Sequence, residues 1–275
     1  MNSSIALALG AVGYLVASVL YASSVIRRTL EHRREWVGVG RVAGLTGVAF
    51  HTMAIGLRCM ESHHNPFNTT GGAVTATGWM IVIAYQLLEL AQWKRAPFAV
   101  GAIAYPLAFL CVFGGVSLER AANQSPVLDS SIIGLHVMAI LFAFGLLAIA
   151  VCCAILYLIE HHLLKTKRIA GSLFARLPPL TTIDSTAFTL VSFAFPLLSV
   201  GILAGIIKAI ATHHTHVWGD AHTLASFITW AIYGGYLLAH ATGGWRGLKA
   251  NYLLLAGQAA AILTYLVPSS HHPFA

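Results

Sequence analysis

Residues 131–159 read SIIGLHVMAILFAFGLLAIAVCCAILYLI, without a single Asp, Glu, Lys or Arg. As a helix rising 1.5 Å per residue, this stretch outreaches a hydrocarbon core about 30 Å thick. Seven further apolar runs lie near residues 4–26, 37–57, 74–93, 97–118, 185–211, 222–241 and 251–268. The chain is 57% hydrophobic and 9% charged, whereas soluble domains carry about 25% charged residues. Its mean hydropathy is +0.76. Backbone groups in lipid must bond internally, which leaves helices or closed barrels, and runs of this length select helices. The expected fold is all-α: a polytopic bundle of about eight transmembrane helices in a lipid bilayer. No linker or low-complexity tract divides residues 1–275, which predicts one integral domain. Two sub-bundles, spans 1–4 and 5–8, are expected within it.

Orientation follows from Lys and Arg in the short loops. With the N-terminus outside, the inner loops hold Arg27, Arg28, Arg33, Arg34, Arg41, Lys94, Arg95, Lys165, Lys167, Arg168, Arg176, Arg246 and Lys249. That is thirteen of the sixteen; Arg58, Arg120 and Lys208 fall outside. Both termini therefore face outward. The net charge of +7 and the pI near 9.4 report topology, and nucleic-acid binding is not inferred from them. The first run has no small-residue cleavage site behind a basic segment, so it reads as a retained helix. The four cysteines form neither CxxC nor CxxCH, which excludes a thiol–disulfide relay and covalent haem attachment to this chain. Cys111, Cys152 and Cys153 read as packing residues, with Cys59 near the outer surface. Pro178-Pro179 ends the long inner segment, and Thr181, Thr182 or Asp184 is the expected cap of the helix that follows.

The histidines sort by side. On or near the outer face lie His51, His63, His64, His136, His213, His214, His216, His222, His271 and His272, ten of fourteen. His32, His161, His162 and His240 fall inside among Lys and Arg, as expected of solvated interface residues. The outer segment His213–His222, HHTHVWGDAH, combines four of these imidazoles with Trp218 and Asp220. Imidazoles bind metals and haem iron, and an indole in a water-facing loop offers a flat porphyrin a stacking surface. His51 lies about 10 Å below the outer boundary, counted from Arg58 at 1.5 Å per residue. An ionisable group at that depth is a functional candidate, the plainer reading being a neutral ring bonded to a neighbouring helix. His136 opens the fifth span, and His271 and His272 follow the eighth. Three span ends thus carry histidine on one face. Arg58, Arg120 and Lys208 are the outer cations that could meet porphyrin carboxylates, or ordinary boundary residues.

These residues carry a resemblance. GLHVMAILFAFGLLAIAVCCAILYLIEHHLLK, LPPLTTIDSTAFTLVSFAFPLLSVGILAG and SFITWAIYGGYLLAHATGGWRG resemble the later spans of cytochrome c assembly proteins of the CcsA/ResC/HemX kind. The likeness is specific over residues 130–250, and the eight-span single-chain HemX/YpjD-like branch fits best. That family displays a tryptophan-rich outer loop with a WDP core between two haem-ligating histidines. Here the matching loop keeps Trp218 and Asp220 and lacks the second Trp and the Pro. The resemblance implies b-type, non-covalent haem with axial ligands His136 and His271 or His272, Trp218 and Asp220 as platform, and His51 as the embedded histidine.

The expected function is a haem-binding protein of the bacterial inner membrane with periplasmic termini. It would hold or present haem at the outer face during cytochrome c biogenesis or haem homeostasis. Its partners would be haem and other maturation or haem-biosynthesis proteins, and its role assembly rather than catalysis. The competing reading is a divalent-metal carrier or sensor binding Zn²⁺ or Cu²⁺ through His213, His214, His216 and His222 with His63 and His64. Glu89 is the one acidic residue within these apolar runs, which argues against a transport path lined by carboxylates.

Overall fold

The structure is a computed structural model that describes residues 2–26, 30–62, 66–67, 69–92, 98–119, 131–166, 177–211 and 220–266. Among these the regular structure is helical: α1 (Ser3–Ile26), α2 (Leu30–Ser62), α3 (Thr70–Ala91), α4 (Phe98–Glu119), α5 (Ser131–Lys165), α6 (Leu180–Ala211), α7 (Ala221–Ala241) and α8 (Leu248–Leu266). Six, α1 to α6, are long and apolar enough to cross a membrane. The 21 residues of α7 and 19 of α8 reach about 31 and 28 Å at 1.5 Å per residue. Thr223, Ser226 and Thr229 on α7, and Lys249, Asn251 and Gln258 on α8, dilute their hydropathy. The protein is a polytopic helical membrane bundle.

Helices outrun the apolar stretches because their ends continue into polar surroundings. Thus α2 extends to Ser62 and α3 begins at Thr70, where the Thr69 hydroxyl accepts the Gly72 N–H at 2.9 Å. The segment between them, residues 63–69, is correspondingly short. Similarly, α6 starts directly after the proline pair, whose Pro179 carbonyl accepts the Thr182 and Ile183 N–H groups. Thr181, Thr182 and Asp184 therefore lie inside α6 and do not precede it as a cap. The Gly-Trp-Arg-Gly motif turns the chain from α7 into α8. Gly243 and Gly247 adopt φ of 74° and 69° there, a region open to glycine.

Packing divides the helices into two groups joined by α5. In the first, α1 pairs with α2 and with α4, and α3 with α4; in the second, α5 pairs with α6, and α7 with α8. A Cβ on Gly13 would stand 2.7 Å from Gly47 Cα, so α1 and α2 touch backbone to backbone. Close approach of this kind is what holds helices together in lipid, where burial against other helices gains little over burial in acyl chains. α5 lies against α3, α4, α6 and α8, and Ala143, Leu147, Ile149, Ala150, Cys152 and Cys153 on it are fully buried. The packing role of Cys152 and Cys153 is confirmed, and Cys59 is exposed.

Inside the first group sits a buried carboxylate. Glu89, 1% exposed, receives Arg41 Nε at 3.2 Å and a terminal guanidinium nitrogen at 3.1 Å. The Tyr21 hydroxyl reaches both carboxylate oxygens, at 2.9 and 2.8 Å. Tyr21, Tyr85 and Tyr105 surround it with ring centroids 5.1–5.5 Å apart. Arg41 therefore belongs to α2 and not to an inner loop. Glu160 on α5 is a second buried acid, 3% exposed, so Glu89 is not alone.

Candidate outer-face histidine sites

His51 faces the interior of the first helix group and is fully buried. Its Nδ1 lies 3.1 Å from the Tyr14 hydroxyl of α1, and its Nε2 has no hydrogen-bond partner among the described residues. The Trp79 ring of α3 stands 6.4 Å away, its indole N–H held by Thr52 at 2.9 Å. His51 lines a cavity of about 870 Å³ formed by α1 to α4. The other lining residues include Arg58, Glu61, Phe67, Phe109 and Phe113. They come from the start of α1, the end of α2, the start of α3 and the end of α4, so the cavity belongs to the end that the charge count places outside. Pockets for drug-sized ligands occupy about 300–1,000 Å³ and are mostly apolar with a few aimed polar groups. This one has that character, with the His51 imidazole and the Arg58 guanidinium among its lining residues.

His136 sits in the second turn of α5, against α6. Its Nδ1 lies 2.7 Å from the Gly201 carbonyl. A carbonyl can only accept, so Nδ1 carries the proton and, in the neutral ring, Nε2 carries the lone pair. Metal-bound imidazoles are fixed in this way, one nitrogen bonded to the protein and the other presented to the metal. Gly201 and Gly205 make the arrangement possible. A Cβ on Gly205 would stand 2.8 Å from His136 Nδ1, and one on Gly201 would stand 2.6 Å from the Ile140 side chain. Sequence reading missed this pair, although GILAG is a G-x-x-x-G within an apolar span, the known signal for close helix approach.

Asp220 is the N-cap of α7: its Oδ2 accepts the Thr223 N–H at 3.0 Å and the Thr223 hydroxyl at 3.2 Å. It sets where α7 starts, and with it the position of His222 in the first turn. Trp218, His213, His214, His216, His271, His272, His63, His64 and Arg120 lie outside the described residues. At the opposite end of the bundle, His240 is not a solvated interface residue. It is buried, its Nε2 is 3.0 Å from Asp184 Oδ2, and its ring stacks on Phe188 at 4.3 Å. His161 stacks on Tyr157, and His162 is exposed.

A helical membrane bundle with a buried histidine lining a cavity at one end, and another set against a glycine pair, is an architecture for holding a ligand at one membrane face. Residues 68–272 match the family described as Cytochrome C assembly protein, and the chain belongs to that family. The match reaches upstream of the motifs quoted above, into α3. The chain is 28% identical to the cytochrome c biogenesis protein CcsA of Guillardia theta, over 78% of this chain and 77% of that one. CcsA of Microcystis aeruginosa is 23% identical over 81% and 83% of the two chains. Protein HemX of Bacillus subtilis is 25% identical over 58% and 57%.

Proposed function

We propose that this protein binds b-type haem non-covalently at the periplasmic face of a bacterial inner membrane. It holds or presents the haem there for cytochrome c biogenesis or haem homeostasis. The relatives named as cytochrome c biogenesis proteins support the process. The observation that supports the haem reading is His136, whose Nδ1–H···O=C bond to Gly201 fixes the neutral tautomer that carries its lone pair on Nε2. A porphyrin brings four nitrogens of its own and asks for one or two protein ligands, whereas a caged zinc ion takes four donors.

The residues divide the work. His136 is the first axial ligand. Trp218 and the tail pair His271/His272 remain the candidate stacking surface and outer ligand, and Asp220 sets the start of α7 through its capping bonds. His51 serves a second, deeper position, in the tautomer whose Nδ1–H donates to the Tyr14 oxygen. His51 lines a cavity of about 870 Å³ there, with Arg58 also on the wall as the cation for a carboxylate. When bound, the haem supplies the vinyl groups and iron that cytochrome c maturation needs. The protein supplies ligation, orientation and shielding from water.

Absorption spectroscopy of the detergent-purified protein tests the reading. A Soret band, with sharp α and β bands on reduction, is expected. Protein that is colourless and stays so on adding haemin, while carrying Zn or Cu, would overturn the haem assignment.

A further inference from the structure

The first helix group holds a column of aromatic rings. From centroid to centroid, Trp79 stands 6.4 Å from His51, His51 5.8 Å from Tyr14, Tyr14 6.5 Å from Tyr105, and Tyr105 5.1 Å from Tyr21. Tyr85 packs edge-on against both Tyr21 and Tyr105 at 5.5 Å. All four helices contribute: Tyr14 and Tyr21 from α1, His51 from α2, Trp79 and Tyr85 from α3, and Tyr105 from α4. The column begins at the cavity that His51 lines. It ends at the buried Glu89–Arg41 pair, near the last turn of α3.

Glycines make the room for these rings. A Cβ on Gly47 would stand 2.7 Å from the Tyr14 ring, one on Gly40 3.0 Å from Tyr21, and one on Gly101 2.7 Å from Tyr21. One on Gly44 would overlap the Tyr105 hydroxyl. Packing alone would be served by phenylalanine, which brings no hydroxyl to satisfy in a buried site. The four tyrosines are fully buried, and their hydroxyls meet different groups. That of Tyr14 lies 3.1 Å from His51 Nδ1, and that of Tyr105 accepts the Gln86 amide at 2.6 Å. Among the described hydrogen bonds, the Tyr21 hydroxyl is the one tyrosine hydroxyl that donates to a carboxylate, at 2.8–2.9 Å. Phenol and indole rings give up single electrons readily, and rings in series relay them. A phenol that has lost an electron becomes a strong acid, so a buried tyrosine holds the vacancy only where a base takes its proton at hydrogen-bond distance. Tyr21 has that base in Glu89.

We propose that Tyr21 is a redox-active tyrosine, the terminus of an electron-transfer column serving a one-electron oxidant bound in the His51 cavity. By chemical class that oxidant is a metal complex one electron above its resting state. One electron leaves Tyr21, passes along Tyr105 and Tyr14 to the cavity and reduces the metal complex by one unit. The phenolic O–H bond breaks, and its proton forms a new O–H bond on a Glu89 oxygen. A neutral tyrosyl radical is left beside a carboxylic acid that Arg41 still holds. Oxidising equivalents are thereby drawn from the cavity to the far end of the helix group. The haem reading enters only in naming a natural oxidant, and the column is testable without it.

The test uses the chain's own thiol. Cys59 is exposed and adjoins Arg58 of the cavity wall, whereas Cys152 and Cys153 are buried. A thiol-reactive ruthenium(II) polypyridyl complex is attached there in detergent-purified full-length protein. Illumination with a sacrificial cobalt(III) acceptor generates ruthenium(III), and electron paramagnetic resonance of frozen samples reads the radical. The parent should give a tyrosyl signal that narrows when the protein is grown on ring-deuterated tyrosine. Tyr21→Phe keeps the ring and should lose most of that signal. Arg41→Met/Glu89→Gln removes the proton acceptor together with its cation, which avoids an unpaired buried charge, and should lose it as well. Tyr14→Phe, in the middle of the column, should slow its appearance. Tyr233→Phe, on α7 in the second group, should match the parent. Tyr21→Phe protein with the parent's radical yield, or a parent that forms no tyrosyl radical, overturns the column. Neither result touches the haem reading, which haemin uptake decides separately.

Discussion

Gly205→Ala tests the His136 site without touching any ligand. The new Cβ would stand 2.8 Å from His136 Nδ1 and 2.9 Å from Cε1, whereas carbon and its neighbours are comfortable at about 3.5–4.0 Å. The ring must retreat by roughly 0.7–1.2 Å, or α5 and α6 must part by as much. If the ring swings, the 2.7 Å bond to Gly201 is lost, at about 0.5–1.5 kcal/mol. If the helices part, overpacking costs about 1–3 kcal/mol. Either way the fold survives with about 1–2 kcal/mol less stability, and Nε2 moves several times further than the ±0.2 Å that metal–ligand distances tolerate. The assay compares haem-to-protein ratio, spin state and thermal midpoint in detergent with those of Gly235→Ala, whose Cβ meets no atom within 4 Å. Gly205→Ala should lower haem content and shift the spectrum away from low-spin, and Gly235→Ala should match the parent. Gly205→Ala protein of parental yield with an unchanged low-spin spectrum would refute the placement of His136 as a ligand.

Three further outcomes follow from the structure. Arg41→Ala leaves the Glu89 carboxylate buried without its cation, which should cost about 3 kcal/mol; the Arg41→Met/Glu89→Gln double variant should recover much of it. Thermal unfolding in detergent decides, and an Arg41→Ala midpoint equal to the parent's contradicts the ion-pair account. His51→Ala should lower haem content at near-normal expression, while His161→Ala and His162→Ala leave it unchanged; equal haem-to-protein ratios in all three would reduce His51 to a packing residue. Alkaline phosphatase fused after Ala275 should be active, and an inactive fusion beside an active cytoplasmic reporter at that position would reverse the orientation.

The helices were legible because a lipid-spanning run leaves its length and composition in one continuous stretch. Their ends were less so: helical hydrogen bonding carries α2 and α5 beyond the apolar residues, and nothing in hydropathy marks where it stops. Arg41 counted as a loop residue because its partner lies 48 positions away; only the packing of α2 beside α3 reveals the pair. His240 failed for the same reason, its acid lying 56 positions away on α6. His136 was found by position and by resemblance. The carbonyl that fixes its tautomer is 65 residues distant and belongs to a glycine, a residue with no side chain to announce a role. His222 was read with its loop neighbours as one metal-binding cluster, whereas the fold gives it to α7.

The placement of α5 bears on how this protein could be rebuilt for work without detergent. Its sequence is the most lipid-like of the chain, yet most of that surface meets protein, Leu147, Ile149, Ala150 and Cys153 having no exposure at all. α1 is the opposite case: Ile5, Val12 and Val19, each more than half exposed, line its outer surface. An engineer repainting greasy residues by hydropathy alone would begin with α5 and destroy the bundle. Repainting should start at Ile5, Val12 and Val19, together with exposed Leu90 and Phe193, and leave α5 untouched.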